Sequence, residues 1–432
     1  MSSVTIRPVS GLHGRVRVPG DKSISHRAVL LAALARGTSR VEGFLYGGDC
    51  EATVRAVQAL GVQVERPRPD TLILTSRGAH AWQEPEDILH CANSGTTMRL
   101  LAGLLGAQPF TTVLTGSAQL RRRPMGRVTE PLRRMGVQVL GREDGRFAPL
   151  ALRGGDLRGI RYTLPVASAQ VKSALILAGL FARGETVIEE PGPARDHTER
   201  MLSALAAPIT LQGRVIRVRP LEEPLPPLDL RVPGDFSSAA FLLVAGLLVP
   251  RSHLVVEGVG LNPTRTGLLD VLEAMGAAIT RENVHTVGGE EVGDLSVRTS
   301  ALRGVDVHGE MVVRMIDEFP IFAVAATQAQ GTTVVRDAGE LRVKETDRIA
   351  AVATELRKMG AHIEERPDGF IIEGPTRLRG AHVDSYGDHR LAMAWTVAGL
   401  IAQGETVVHR AECIADSFPG FLELLAQLRS DD

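Results

Sequence analysis

Apolar runs of about ten residues recur six times along the chain, each opened by small or polar residues and followed by a β-branched stretch. The joints read LAALARGTSRVEGF, LAGLLGAQPFTTVLTG, LAGLFARGETVIEEP, VAGLLVPRSHLVVEG, VAATQAQGTTVVRDA and VAGLIAQGETVVHRA. An unbroken apolar run of this length predicts a buried helix, and the β-branched run after it a strand. A second helix then ends, in most copies, at a glycine before another strand. These ends are Leu60-Gly61-Val62, Met135-Gly136-Val137, Met275-Gly276-Ala277 and Met359-Gly360-Ala361. Helix, glycine and β-branched run is the pattern of a C-cap and strand entry. The third copy, near Leu205-Ala206-Ala207, lacks the glycine, and the sixth stops at the C-terminus.

A period of about 70 residues is too long for an ordinary solenoid unit. The pattern predicts six α/β units, three to each of two similar domains. Val18-Pro19-Gly20-Asp21 recurs as Val232-Pro233-Gly234-Asp235 half a chain later, the second copy closing the proline-rich EEPLPPLDLRVPGD. These segments are expected to carry the chain between domains. Residues 20–232 then form an inserted domain, and residues 1–19 and 233–432 a discontinuous one. Two crossings make a hinge, and a ligand cleft between the domains is the expected site.

Composition narrows the function. At 432 residues the chain exceeds one ordinary core. A net charge of -1 and 4% aromatic residues offer neither the basic field nor the stacking platforms of a nucleic-acid binder. Cys50, Cys91 and Cys413 are isolated, with no CxxC pair, which fits a reducing compartment. The opening MSSVTIRPVSG has no signal-peptide pattern, and no apolar run reaches membrane-spanning length. A cytoplasmic protein, without membrane or nucleic-acid partners, is expected. Arginine is used almost everywhere a cation is needed, and only Lys22, Lys172, Lys344 and Lys358 remain lysine. A retained lysine suits a task arginine cannot do, such as giving up a proton. Lys358 reads as a solvated helix position and Lys172 as structural.

The candidate chemistry-bearing residues gather at helix starts, where backbone amides and the helix dipole favour anions. Lys22, Ser23 and Arg27 suit a phosphate or carboxylate, with Ser23 as a candidate cap. The run is not a Walker A loop, because Asp21 stands where its second glycine belongs, and no GxGxxG occurs. In Asn93-Ser94-Gly95-Thr96, Gly95 lets a ligand approach the backbone, and Asn93 either caps the helix or binds directly; an ordinary glycine turn is the rival reading. Arg121 to Arg127 concentrates guanidinium groups suited to bidentate anion binding. Asp196 beside His197 reads as a helix cap rather than a catalytic pair. Asp317 and Glu318 read either as a cap or as a base toward a hydroxyl. In RVKETDR, Lys344 and Arg348 are expected to share a helical face with Glu345 beside them, in a site or as a solvated i,i+4 pair. No metal-ligand spacing and no nucleophile elbow is present, so neither a metal nor hydrolase chemistry is expected.

PGDKSISHR, NSGTTMRLL, RRRPMGR, SAQVKSA, RDHTE, MIDEFP, RVKETDR and GDHRLAM occur in this order along nearly the whole chain. Together they resemble the 5-enolpyruvylshikimate-3-phosphate synthase (3-phosphoshikimate 1-carboxyvinyltransferase) family of enolpyruvyl transferases. The resemblance implies an inside-out α/β barrel of two domains, each of three βαβαββ repeats. It implies transfer of the enolpyruvyl group of phosphoenolpyruvate to the 5-hydroxyl of shikimate 3-phosphate through a tetrahedral intermediate. No cofactor is implied, and a monomer is expected.

Carried over position by position, Lys22, Ser23, Arg27, Ser168, Ala169, Gln170, Arg195, Asp317 and Lys344 would surround shikimate 3-phosphate. Lys22, Asn93, Gly95, Arg123, Gln170, Arg348 and Arg390 would surround phosphoenolpyruvate, with His389 in support. Asp317 would be the base toward the 5-hydroxyl, and Lys22 and Glu345 the candidates for the methylene proton transfers. Asp416 stands where many members carry a lysine, and Gly95 where glyphosate-tolerant members often carry alanine. UDP-N-acetylglucosamine enolpyruvyl transferases share the reaction type, but their loop cysteine has no counterpart in TGSAQLRRRPMGR. An inactive anion-binding scaffold, the other rival, would have little need for Asp317, Lys344 and Glu345 together.

Overall fold

The computed structural model describes residues 2–429 and divides into two compact units. One comprises the chain up to Pro19, Pro233–His285 and everything from Glu291 onward; the other comprises Gly20–Val232 with Thr286–Glu290. Each unit is built by the same device. The apolar runs form helices Lys22–Leu34, Gly95–Leu105 and Ala169–Gly179 in one unit and Phe236–Leu248, Phe319–Gln328 and His389–Ile401 in the other. These helices have no polar face, so burial on all sides is their stable state. Phe236 through Leu247 are all buried, and the helix packs on both Phe319–Gln328 and His389–Ile401. Helices Gly95–Leu105 and Ala169–Gly179 meet closely, because a Cβ on Gly103 would lie 2.2 Å from the Ala174 carbonyl oxygen. Only glycine fits there.

Small sheets flank these cores and repeat one order. In the first, Asp229–Arg231 pairs in parallel with Arg36–Glu42, which pairs antiparallel with Thr71–Arg77, and Gln63–Arg68 completes the edge. The same parallel-then-antiparallel order holds for Leu89–His90, Thr111–Thr115, Phe147–Arg153 and Gln138–Gly141. It holds again for the sheet of Arg161–Thr163, Thr186–Glu189, Val215–Val218 and Ile209–Gln212. In the other unit it recurs from His13–Arg17 beside His253–Gly260, and from Asp306–Val307 beside Gly331–Val335. This is the βαβαββ repeat. The strand before each VPGD segment pairs within one unit while the helix after it belongs to the other: His13–Arg17 precedes Lys22–Leu34, and Asp229–Arg231 precedes Phe236–Leu248.

The sixth repeat, cut short at the C-terminus, is completed from the other end of the chain. Ser3–Ile6 runs antiparallel to Thr406–His409, with Ser3 opposite His409 and Ile6 opposite Thr406. The parallel neighbour is His382–Asp384.

The glycine ends of the second helices lie in the left-handed region, at φ 94° for Gly61, 109° for Gly136, 94° for Gly276 and 90° for Gly360. Each closes its helix as a left-handed cap. The copy without glycine makes the same turn on Ala206, at φ 55°, with Ala206 N–H donating to Ser203 O and Ala207 N–H to Leu202 O. A Cβ in that conformation carries a steric penalty of roughly 1 kcal/mol. Ala206→Gly is therefore expected to raise the urea midpoint, with a gain of up to about 1 kcal/mol. A lower midpoint would show that the Ala206 methyl group is needed in packing.

Candidate active site

In the second unit the site begins where three buried helices start. Asp21, not Ser23, caps the first: its carboxylate accepts from Ile24 N–H at 2.9 Å. Lys22 is then the first helical residue, and its ammonium ion-pairs with Asp49 in the first turn of helix Gly48–Ala59. Arg27, one turn deeper, faces inward. It donates to Thr198 Oγ1 at 2.6 Å, Ser173 Oγ at 2.9 Å and Ser23 O at 3.0 Å. Burial lowers its pKa to about 10, which still leaves it charged at neutral pH. Its grip joins three helices as well as offering a cation.

Ser94, rather than Asn93, caps helix Gly95–Leu105, accepting from Thr97 N–H at 3.0 Å. Asn93 is thereby released, and its amide bonds Gln119 Oε1 at 2.7 Å and Ser117 Oγ at 2.8 Å. A Cβ on Gly95 would stand 2.8 Å from Arg99 Nη1 and 3.5 Å from Arg123 Nη1, so both guanidinium groups border this turn. Gln170, in the first turn of Ala169–Gly179, donates to Thr96 Oγ1 at 2.8 Å and accepts from Arg99. Gly95, Arg123 and Gln170 therefore lie together, drawn in by the close helix contact at Gly103. Ser168 occupies the cap position of that helix but makes no side-chain cap bond.

Arg195 follows Ala194, whose carbonyl accepts from Lys172 at 3.3 Å. Lys172 is fully buried between Glu199 at 2.7 Å and Glu190 at 2.8 Å. Burial opposes its charge, but the two glutamates outweigh it and raise its pKa. Its role is to anchor the segment that presents Arg195. Asp196 makes no cap bond and instead pairs with Arg200 at 2.9 Å, while His197 Nδ1 lies 2.8 Å from Glu290 Oε1.

In the first unit the polar cluster centres on Arg348, the first residue of helix Arg348–Lys358, whose cap is Asp347. Lys344 is not on that helix. It follows a 3-10 turn over Gly339–Val343, so it and Arg348 do not share a helical face. The buried Arg348 guanidinium donates to Asp388 at 2.8 Å and Glu345 at 2.7 Å, and lies 3.5 Å from Asp317. Burial works against the charge, yet Asp388, Glu345 and Asp317 overcome it and hold the pKa above the usual arginine value. Arg390 approaches Asp317 from the next helix, with its Nη2 at 3.4 Å from the carboxylate. Asp317 thus sits between two guanidinium groups.

Neither Asp317 nor Glu318 caps the helix that follows. Glu318 is buried, accepts from Ser237 Oγ and stands 3.9 Å from Arg390. Ser237 also accepts from Arg265, which is bound in turn to Asp235 at 2.8 Å. His389 opens helix His389–Ile401 and is buried, while Asp388 caps it by accepting from Arg390 N–H at 2.9 Å.

The two clusters differ in charge. Around Gly95 and Lys22, Arg99 and Arg123 join the ammonium beside the carboxylates of Asp49 and the capping Asp21. Around Arg348 and Arg390, the carboxylates of Asp317, Glu318, Glu345 and Asp388 predominate. The first arrangement suits oxyanions, and the second offers acceptors for protons. Asp49, Arg99 and Arg265 had no part in the sequence reading as site residues. Asp49 follows Gly47-Gly48 at a helix start, the same signal that marked the other positions. Among the described residues no group of histidine, cysteine or carboxylate side chains is arranged to hold a metal ion.

A family model described as EPSP synthase (3-phosphoshikimate 1-carboxyvinyltransferase) matches residues 6–425. A protein of Desulforudis audaxviator named 3-phosphoshikimate 1-carboxyvinyltransferase is 54% identical, covering 99% of each chain. A protein of the same name from Geobacter sulfurreducens is also 54% identical, over 98% of this chain and 99% of its own. The solved structure of EPSP synthase from Acinetobacter baumannii superposes with a TM-score of 0.90 at 42% identity, covering 99% of this chain and 98% of its own. With a family match from end to end and half the residues shared with such relatives, this chain belongs to the EPSP synthase (3-phosphoshikimate 1-carboxyvinyltransferase) family.

Proposed function

We propose that this protein transfers the enolpyruvyl group of phosphoenolpyruvate to the 5-hydroxyl of shikimate 3-phosphate, releasing phosphate, in the shikimate pathway to aromatic amino acids. The observation that carries the proposal is Asp317, held 3.5 Å from Arg348 and 3.4 Å from Arg390. A carboxylate flanked by two guanidinium groups sets a proton acceptor beside the groups that bind an anionic co-substrate. Asp317 takes the 5-hydroxyl proton as that oxygen bonds to C2 of phosphoenolpyruvate. The methylene carbon is protonated by Lys22 or Glu345, giving a tetrahedral ketal phosphate. Loss of a methyl proton then expels phosphate and restores the double bond.

The binding roles follow the charges. Each substrate brings a phosphate and a carboxylate, so cations must offset their repulsion. Lys22, Ser23, Arg27, Ser168, Ala169, Gln170, Arg195 and Lys344 are assigned to shikimate 3-phosphate. Lys22, Asn93, Gly95, Arg123, Gln170, Arg348 and Arg390 are assigned to phosphoenolpyruvate, with His389 supporting them. The protein acts in the cytoplasm as a monomer in this reading; three buried cysteines, none in a disulfide, favour the reducing compartment. Among the described residues no helix is long and apolar enough to cross a membrane.

The test is an assay of phosphate release. Release is expected only when phosphoenolpyruvate and shikimate 3-phosphate are both present. No release above background would overturn the proposal, and release with UDP-N-acetylglucosamine in place of shikimate 3-phosphate would assign the protein to the other enolpyruvyl transferase reaction.

A further inference from the structure

Beneath the Lys22–Asp49 ion pair runs a buried chain of hydrogen bonds. His26 Nδ1 lies 2.7 Å from Thr53 Oγ1, and Thr53 Oγ1 lies 2.7 Å from Thr97 Oγ1. The Thr97 hydroxyl donates to Ser94 Oγ at 2.8 Å and also lies 3.3 Å from the Asp49 carbonyl oxygen. His26, Thr53 and Thr97 are fully buried, and Ser94 is 2% exposed. The Asp49 carbonyl can only accept, so with the Thr97 proton directed to it or to Ser94, Thr97 accepts from Thr53, and Thr53 accepts from His26 Nδ1–H. In that arrangement the chain runs one way and holds the Nδ1–H tautomer.

Its register matters as much as its polarity. Lys22 and His26 are one helical turn apart, as are Asp49 and Thr53, so the two contacts are successive rungs between the same pair of helices. The far end is Ser94, the cap of the helix that begins at Gly95. A packed apolar trio could fill this space, whereas a directional chain permits only one spacing of the three helix starts.

We propose that His26, acting through Thr53, Thr97 and Ser94, is a positioning residue for the phosphoenolpyruvate end of the site, holding Lys22–Asp49 and the Asn93–Gly95 turn in register. It touches no substrate. The chain needs only a proton on Nδ1; burial, together with Lys22 and Arg27, favours the neutral ring and lowers its pKa to about 3 against the opposing pull of Asp49. The inference rests on the proposed enolpyruvyl transfer.

The test compares steady-state kinetics of the wild type with Thr97→Val, His26→Phe and His26→Asn. Thr97→Val keeps shape and removes one hydroxyl, so it reads the chain even where His26→Phe fails to fold. Loss of a buried hydrogen bond of about 1 kcal/mol or more predicts that KM for phosphoenolpyruvate rises at least about fivefold in Thr97→Val and His26→Phe. KM for shikimate 3-phosphate is expected to rise less, because it shares Lys22 with phosphoenolpyruvate while Ser168, Ala169 and Arg195, also assigned to it, lie outside the chain. His26→Asn presents an amide N–H where Nδ1–H stood and is expected to restore most of the loss. Equal changes in both KM values, unchanged kinetics, or failure of His26→Asn to rescue would each overturn the inference. An inactive wild type would instead overturn the reaction itself, and the inference with it.

Discussion

Lys22→Arg is expected to lower kcat by about 100-fold or more, the range of a lost general acid or base, while leaving the protein folded. The ammonium of Lys22 stands at the first position of its helix against the Asp49 carboxylate. A guanidinium there keeps the charge and the partner, so neither the ion pair nor the anion attraction is removed. Two things are lost. Arginine does not release a proton at any working pH, so transfer to the methylene carbon stops at that residue. Its planar fork also places charge farther from the backbone than the compact ammonium does. The expected signature is a collapse of kcat with KM for shikimate 3-phosphate changed only a few-fold, since uniform binding survives. Steady-state phosphate release and a thermal melt of the same preparation check both halves. Near-native turnover would reduce Lys22 to a binding cation and move the proton transfers to Glu345.

The chain's lysine usage makes that variant unusually informative. With four lysines among 49 basic residues, an arginine at position 22 is what the rest of the chain would have used. The structure assigns the other three to visible tasks or positions. Lys172 compensates buried Glu199 and part-buried Glu190, Lys358 pairs with Glu355, and Lys344 lies between the 3-10 turn and the Arg348 helix.

What could be read from the sequence depended on how local its cause was. The apolar runs were legible because a helix without a polar face has only one stable environment, and Phe236–Leu248 shows it. The glycine helix ends were legible for an equally local reason, a left-handed backbone angle. Capping residues were harder, because Asp21 and Ser23, or Asn93 and Ser94, offer equivalent oxygens two or fewer residues apart. Only the turn geometry selects between them. Alternating charge in RVKETDR suggested one continuous helix, but Asp347 caps a new one and leaves Lys344 outside it. Least legible were pairings between distant segments. Nothing near Thr406 announces that Ser3–Ile6 completes its sheet, and nothing in YGGDCEAT announces that Asp49 meets Lys22.

Acid is expected to destabilise the second unit through His26. Burial, with Lys22 and Arg27, lowers the folded-state pKa from 6.5 to about 3, despite the favourable pull of Asp49. Below pH 6.5 the unfolded chain binds a proton at this histidine that the folded chain does not, so stability falls as pH falls, down to the folded pKa. Between pH 7.5 and 5.0 one such group accounts for about 2 kcal/mol of lost stability. His26→Asn cannot titrate and escapes that share of the loss. The variant is expected to be the less stable protein at pH 7.5, because asparagine fills less of the site, and to close the gap by about 2 kcal/mol at pH 5.0. Trp82 provides the readout: its indole donates to Ala33 O at 3.2 Å, on the helix that carries His26. In a Trp395→Phe background, urea unfolding followed by Trp82 fluorescence reports on this unit. A gap between the two proteins that is the same at both pH values would mean that folded His26 takes up its proton as readily as the unfolded chain does. His26 would then have to gain an acceptor or water at Nε2, which among the described residues is buried without a hydrogen-bond partner.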